Sequence, residues 1–249
     1  MSAYEVVALL FLFVLFIPLV GLITVRLRRG WRPVLRPISA FRTLPGQVGR
    51  SAETGQTLHV ALGSGGLGGS EAAASLAALS ALRAFAEEGA ATETPPLVTV
   101  GDATLLPVAQ SVIQRAYQRQ GAPTAFKMTQ VQMVAPGALP YAAGTMHLLK
   151  RGHISANVML GTFGLEAALI TRGGAEAGLE QVAGTERLEG LATFYTSADD
   201  LLIGEELFAV GAYLRQQTAD IASLVTQDLI RFLLVLVILA AALVKTLLG

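Results

Sequence analysis

Three glycines in the first half of the chain have the spacing of a nucleotide-binding turn. Gly63, Gly65 and Gly68 form the pattern Gly-x-Gly-x-x-Gly, after an apolar strand candidate at 57–62 and before a helix candidate that begins at Ser70. In dinucleotide-binding folds such glycines let the backbone approach a pyrophosphate, which lies at the N-terminus of the helix. The turn is a candidate site for a nucleotide or another anion. The alternative is a glycine turn that packs closely on the following helix.

The acidic residue that accompanies this glycine pattern in dinucleotide-binding folds is not found at the usual spacing. In dinucleotide-binding folds a carboxylate about 20 residues further on binds the ribose hydroxyl groups. Asp102 occupies the end of the second strand candidate, but it lies farther along the chain than this spacing. We include Asp102 in the candidate site because of its place at a strand end, and its spacing counts against a nucleotide.

The remaining polar residues do not form a catalytic set. Asp199, Asp200, Glu205 and Glu206 could perform acid–base chemistry or hold a divalent cation, but acids at a helix N-terminus also suit the helix dipole. The three histidines lack metal-ligand spacing, and there is no cysteine, which excludes disulfides and thiolate chemistry. We predict no catalytic residue, no metal site and no resident cofactor. Enzymatic activity is left open, and its absence is favoured.

The elements that would position these residues alternate between strand and helix. This order predicts an α/β, Rossmann-like domain over 56–203, with a mostly parallel sheet and helices on both faces. In such a sheet, ligands bind at the carboxyl ends of the strands. The strand candidates are 57–62, 97–100, 126–134, 154–160 and 179–183, and the chain from about Asp200 onward is expected to be helical.

Both ends of the chain are apolar enough for a bilayer. Residues 1–25 contain the uncharged run 6–25, and residues 229–249 carry only Arg231 and Lys245 as charges. Since about 20 apolar residues span a bilayer, we predict an N-terminal and a C-terminal transmembrane helix. The first segment lacks the flanks of a cleavable signal peptide.

Arginines follow the first apolar segment in a basic juxtamembrane connector, residues 26–55, whose prolines argue against one long helix. The positive-inside rule places this flank and the α/β domain in the cytoplasm, at the plasma membrane, with both termini outside. Such arginines set topology, and they also attract anionic lipid headgroups by about 1 kcal/mol each. Those nearest the span are Arg26, Arg28, Arg29, Arg32 and Arg36.

A heptad-like seam precedes the second apolar segment. Its residues alternate three and four apart, which predicts a stalk helix at 204–228 that continues into the membrane and contacts either the domain or a second copy of the chain. The Ala240-Ala241-Ala242 run would let membrane helices approach closely. The candidate assembly residues are Leu207, Val210, Leu214, Ile221 and Leu224.

These features indicate which partners to expect, but they do not indicate a reaction. Lysine plus arginine and aspartate plus glutamate each number 18, so a net charge of zero argues against nucleic acid as a partner. The expected partners are the lipid bilayer, further copies of the chain and other membrane proteins. We expect a non-enzymatic scaffold or structural component on the cytoplasmic face, or alternatively a nucleotide or anion sensor that uses the turn at 63–69.

The chain also resembles a family of bacterial membrane proteins that is known only as a domain of unknown function. The resemblance lies in the glycine-rich turn 63–69, the stretch Gly-Asp-Ala-Thr-Leu-Leu-Pro at 101–107, and Ala-Asp-Asp-Leu-Leu-Ile-Gly-Glu-Glu at 198–206. It implies two terminal transmembrane helices around an α/β domain. It implies no activity and no catalytic residues.

Overall fold

The computed structural model describes the backbone of residues 3–248, together with the side chains of Val6 and of residues 13–246. The chain forms two compact units, Met1–Arg36 with Arg215–Gly249, and Pro37–Leu214. The described helices and strands are, in chain order, α1 (Ala3–Arg28), α2 (Ser39–Thr54), β1 (Thr57–Gly63), α3 (Ala72–Ala91), β2 (Leu97–Val100), α4 (Leu105–Arg119), β3 (Val131–Met133), α5 (Ala138–Arg151), β4 (Ile154–Thr162), α6 (Ala167–Glu176), β5 (Glu180–Thr185), α7 (Leu188–Tyr195), β6 (Asp200–Ile203), α8 (Val210–Leu214) and α9 (Thr218–Leu248).

The second unit is built on one sheet of six strands, in the order β3-β2-β1-β4-β5-β6. Every neighbouring pair is parallel. The predicted α/β class with a mostly parallel sheet is therefore confirmed. The order is that of doubly wound dinucleotide-binding folds, in which the winding direction reverses between β1 and β4.

The helices of this unit form two groups. Helices α2, α3, α4 and α8 contact one another, and α5, α6 and α7 form a second contacting series. Since side chains alternate along a strand, each strand supplies residues to both groups. Ala61, Met159 and Ala183 pack with Tyr141 of α5 and Ile170 of α6 in one buried cluster. The central strands are buried on both sides, which explains why they read as continuous apolar runs.

The segment predicted as a basic juxtamembrane connector contains helix α2 and belongs partly to the α/β unit. Helix α1 ends at Arg28 and α2 begins at Ser39, so no single long helix spans the segment, although Pro45 lies inside α2. The helix forms because its apolar face is buried, with Leu44 and Val48 almost fully covered and Phe41 stacked on Tyr213 at a ring distance of 4.3 Å. This burial outweighs the backbone hydrogen bond that a proline removes.

The continuous stalk helix predicted over 204–228 does not form. Residues Gly204–Ala209 are a 3₁₀ turn, α8 has only five residues, and α9 begins at Thr218. Gln216 has a φ of 50°, a left-handed conformation that cannot continue an α-helix. Leu207 and Val210 are fully buried within the α/β unit. The heptad-like spacing of these two residues therefore reflects packing within the domain and not an assembly seam.

The third and sixth strands also differ from expectation. Of the predicted strand 126–134 only Val131–Met133 forms strand β3, because a 3₁₀ turn occupies Met128–Gln130. Residues expected to start the last helix form β6, which pairs with β5 alone. Leu202 of β6 is fully buried. An edge strand of four residues has too few alternations for a period-2 signal.

The first unit contains α1 and α9. Among the described residues, one helix segment, Thr218–Thr246, is long and apolar enough to cross a membrane. The predicted N-terminal span is helical in its backbone within α1. It is not a second segment of this kind, and the side chains of 7–12, in its N-terminal half, lie outside the described residues.

Candidate functional site

The glycine-rich turn lies at the carboxyl end of β1, where the strand order of the sheet reverses. Strand β1 ends at Gly63, whose φ of 81° turns the chain away from the sheet. The Gly101 amide donates to the Gly63 carbonyl oxygen at 3.0 Å, and the Ser64 amide donates to the Thr162 carbonyl oxygen at 3.1 Å. In doubly wound folds ligands enter the crevice at this reversal. Here the loops after β1 and β4 are bonded directly to each other.

The first two glycines of the motif are required by packing within the protein. A Cβ atom at Gly63 would overlap the Thr162 carbonyl oxygen, and one at Gly65 would lie 2.7 Å from the Thr162 Oγ1 atom. A Cβ atom at Gly66 would lie 2.8 Å from Asp102 Oδ1. Gly68 has open space around it. Protein atoms thus occupy the close approach that a pyrophosphate would need.

Asp102 lies beneath this turn and accepts hydrogen bonds from the nearby Thr104. Its Oδ1 atom accepts the Thr104 amide at 2.8 Å and also the Thr104 hydroxyl group. The Thr104 Oγ1 atom in turn accepts the Leu67 amide at 3.0 Å. Asp102 therefore connects the start of α4 to the glycine turn, a role that does not require a ribose.

Carboxylates surround the same edge of the sheet. Glu186 accepts the Thr162 hydroxyl at 3.0 Å, and Glu166 accepts the Gly164 amide at 2.8 Å. Glu71, at the start of α3, lies 3.9 Å from Arg187, which also pairs with Glu189. An excess of negative charge opposes an anionic ligand at this edge. The arrangement stabilises the loops and disfavours a bound phosphate.

A buried row of hydrogen-bonded polar side chains crosses the sheet, and none of its members was among the predicted site residues. It runs through five residues on β5, β4, β1, β2 and α5, all of them buried. Asn157 Nδ2 donates to Gln181 Oε1 at 3.0 Å, and Asn157 Oδ1 lies 2.7 Å from His59 Nδ1. His59 Nε2 lies 3.0 Å from Thr99 Oγ1, which lies 3.0 Å from the Tyr141 hydroxyl.

The donors of this chain all point in one direction. Asn157 uses its amide group to donate to Gln181, so its oxygen must accept, and His59 therefore carries its proton on Nδ1. Nε2 of His59 is then an acceptor for the Thr99 hydroxyl, which accepts from Tyr141. Aligned hydrogen bonds of this kind strengthen one another in a low-dielectric interior.

The chain ends on helix α6, where Gln181 Nε2 donates to the Thr171 carbonyl oxygen at 2.9 Å. It therefore joins four strands to helices on the α5–α6 side of the sheet. Desolvation lowers the pKa of His59 to about 4, with the Asn157 hydrogen bond opposing the shift. Desolvation also raises the pKa of Tyr141 to about 12. His59 is thus neutral at pH 7, and its role is structural.

The sequence does contain a signal for this row of hydrogen-bonded side chains. Each of the four strands carries a polar residue at a buried position, namely His59, Thr99, Asn157 and Gln181. The register places His59 opposite Asn157 and Asn157 opposite Gln181. The signal becomes readable only once the strand order is known.

The other candidate residues are dispersed. Asp199 accepts the Gln181 amide at 2.8 Å, Asp200 accepts the Thr43 hydroxyl at 2.6 Å, and Glu206 accepts the Ile203 amide at 3.0 Å. They organise β5, β6 and the following turn. The described residues contain no group of three side chains suited to a metal ion. His147 and His153 are exposed.

A family model for a Domain of unknown function (DUF6754) matches residues 2–249. The chain belongs to this family. The match spans nearly the whole chain and confirms the resemblance to an uncharacterised family. A search of curated proteins and a search of solved structures gave no significant match. Membership of DUF6754 transfers no activity, so function must be argued from the structure.

The buried histidine predicts a pH-dependent stability. Because the pKa of His59 is about 4 in the folded state and about 6.5 when unfolded, the unfolded state binds the proton first. Stability is then full above pH 6.5 and falls as the pH drops toward 4. Between pH 7.5 and 5.5 we expect a loss of about 1.4 kcal/mol. Urea unfolding at the two pH values measures this loss, with hydrogen exchange of the β1 and β4 amides as the readout.

The matched control for this prediction replaces the exposed histidines. His147→Gln with His153→Gln should retain the loss between pH 7.5 and 5.5, whereas His59→Gln should remove it while lowering stability at both pH values. Equal pH dependence in the wild-type protein and His59→Gln would show that His59 does not carry the effect.

The glycine turn predicts a strong contrast between two alanine substitutions. Gly63→Ala places a Cβ atom on the Thr162 carbonyl at a left-handed φ and should destabilise the α/β unit by roughly 2–4 kcal/mol. Gly68→Ala meets open space at a φ of −101° and should change stability by less than about 0.5 kcal/mol. Urea midpoints measure both, and similar midpoints for the two variants would contradict the packing argument.

Proposed function

We propose that this member of DUF6754 is a membrane-anchored, non-enzymatic α/β protein that self-associates and acts as a scaffold or structural component at the cytoplasmic face of the plasma membrane. One observation carries the proposal. Every side chain of α9 from Arg231 to Thr246 is exposed, although nearly all of them are apolar. Phe232 is 67% exposed and Ile238 is 66% exposed. A helix that is apolar on all sides and uncovered is stable in lipid and not in water.

The N-terminal segment supports a second anchor. Helix α1 has 26 residues and ends in basic residues, with Arg26 and Arg28 in its last turn. Its described apolar side chains are partly exposed, including Val14 at 70% and Ile17 at 64%. Under the positive-inside rule the arginine flank favours a cytoplasmic location for the α/β domain.

The closed sheet edge favours a scaffold role over catalysis. The Gly63 and Thr162 loops are bonded together where doubly wound folds usually open a ligand crevice. The polar side chains there are engaged with backbone amides, as Asp102 and Glu166 show. Fold alone does not specify function.

Self-association is proposed through the exposed part of α9. The assembly residues predicted at Leu207 and Val210 are inside the domain and do not contribute. Ala240, Ala241 and Ala242 are exposed and small, so another helix can approach closely at this level of the bilayer. The assembly surface therefore moves from the predicted stalk into the membrane segment.

Native mass measurement of the whole protein in mild detergent tests this proposal. We expect a discrete oligomer, which Ala240→Leu with Ala241→Leu should shift toward monomer because the bulkier side chains separate the helices. Leu234→Phe, on the same exposed helix but outside the alanine run, should leave the mass unchanged. A monomer in the wild-type protein would overturn self-association, and extraction of the protein by alkaline carbonate would overturn anchoring.

Nucleotide or anion binding at the glycine turn is the second candidate function. The observation in its favour is the position of Gly63 and Gly65 at the β1–β4 reversal. Binding would require the Ser64–Thr162 hydrogen bond to open, and the nearby carboxylates oppose it.

This candidate predicts a thermal shift. A nucleotide at 100 times its dissociation constant would stabilise the protein by about 2.7 kcal/mol. Asp102→Asn should increase the shift, since one negative charge is removed beneath the turn. Unchanged unfolding temperatures with millimolar NAD, ATP and GTP, in both the wild-type protein and the variant, would exclude the candidate.

A further inference from the structure

A cavity in the first unit is formed where α1 ends and α9 begins. Its volume is about 520 Å³, and its lining includes Arg28, Trp31, Arg32, Gln216, Thr218 and Ile221. All of these residues belong to one compact unit. The cavity is distinct from the glycine turn, which lies in the other unit.

The end of α1 shapes one wall of the cavity. The Trp31 amide donates to the Arg26 carbonyl oxygen at 3.2 Å, and the Gly30 amide donates to the Leu27 carbonyl oxygen at 3.0 Å. This is the Schellman pattern, and Gly30 takes its left-handed position with a φ of 96°. The reversal at Gly30 turns Trp31 and Arg32 back beside the last turn of the helix, so two arginines that are four residues apart line the same space.

The charge of the cavity is positive. No carboxylate lines it among the described residues. The nearest acid along α9, Asp220, pairs with Arg215 at 2.7 Å. Arg28 and Arg32 are exposed, and neither forms an ion pair with a described residue. The planar guanidinium group binds phosphate oxygens through two parallel hydrogen bonds, so two such groups around one cavity suit a phosphodiester.

The apolar surface beside the cavity favours a lipid as the source of this phosphate. Leu22 and Val25 of α1 are 62% and 47% exposed and lead along the helix to the cavity. Acyl chains can lie against them while the headgroup reaches the arginines. Trp31, 42% exposed, has the amphipathic ring that is enriched at membrane interfaces.

We propose that this cavity binds the phosphodiester of an anionic phospholipid headgroup, with Arg28 and Arg32 as the phosphate ligands and Thr218 and Gln216 as further polar contacts. Basic pockets between membrane helices on the cytoplasmic side bind headgroups in this way. The inference rests on the proposed membrane anchoring and adds a lipid class and a site to it.

Trp31 is the only tryptophan of the chain and reports directly on the cavity. The test uses the whole protein in mild-detergent micelles that contain phosphatidylglycerol or phosphatidylcholine, each brominated near the top of its acyl chains. Bromine quenches tryptophan fluorescence at short range. We expect half-maximal quenching at a mole fraction of phosphatidylglycerol about 10- to 30-fold below that of phosphatidylcholine, since each arginine contributes roughly a factor of five.

Two pairs of substitutions with the same change in charge separate the cavity from general electrostatics. Arg28→Gln with Arg32→Gln should abolish the preference for phosphatidylglycerol. Arg26→Gln with Arg29→Gln removes two arginines that do not line the cavity and should retain the preference within about threefold. Equal quenching by the two lipids in the wild-type protein, or equal loss in both pairs, would overturn the proposal.

Inorganic phosphate distinguishes a free anion from a lipid. In phosphatidylcholine micelles, 10 mM phosphate should leave Trp31 emission unchanged. If phosphate alone altered the emission and phosphatidylglycerol added nothing, the assignment to a lipid would be wrong. Carbonate extraction of the same variants keeps the two proposals apart, because a protein that stays in the membrane without lipid preference fails only this inference.

Discussion

The exclusion of water from the layer between the sheet and helices α5 and α6 governs the α/β unit. Five polar side chains lie in this layer, and each must find its hydrogen-bond partner within the protein. They do so by forming one chain from Tyr141 through His59 to Gln181. Because each member has its partner on a different strand or helix, these hydrogen bonds form only when the strands adopt this order and register. The same burial holds His59 in its neutral form.

The sheet edge illustrates how a familiar pattern can serve packing. The glycines after β1 have the spacing of a dinucleotide fingerprint, and they lie at the reversal of strand order where such ligands bind. The space they open is filled by Thr162 and Asp102. Glu166 and Glu186 complete the loops by accepting hydrogen bonds from Gly164 and Thr162. The edge is thereby a closed and acidic structural element.

The two units differ in how they expose apolar surface. The α/β unit hides its apolar strands under helices on both sides, and its helix α2 tolerates Pro45 because Leu44 and Val48 are buried. The part of α9 from Arg231 to Thr246 does the reverse and exposes its apolar side chains. Under the proposed membrane anchoring, lipid covers that surface. The proposed lipid site, the arginine-lined cavity at the end of α1, then lies at the boundary between lipid and water.

Features that depend on local pattern were predictable from the amino-acid sequence. Strands β1, β2, β4 and β5, the parallel sheet and the apolar character of α9 follow from periodicity, turn residues and length. Tertiary structure decided the edge strand β6, the break at Gln216 and the burial of Leu207, because each depends on neighbours that are distant along the chain. It also decided the role of the polar residues. His59 and Asn157 are 98 positions apart and become partners only through the β1–β4 register, and the glycine turn loses its open crevice only because Thr162 occupies it.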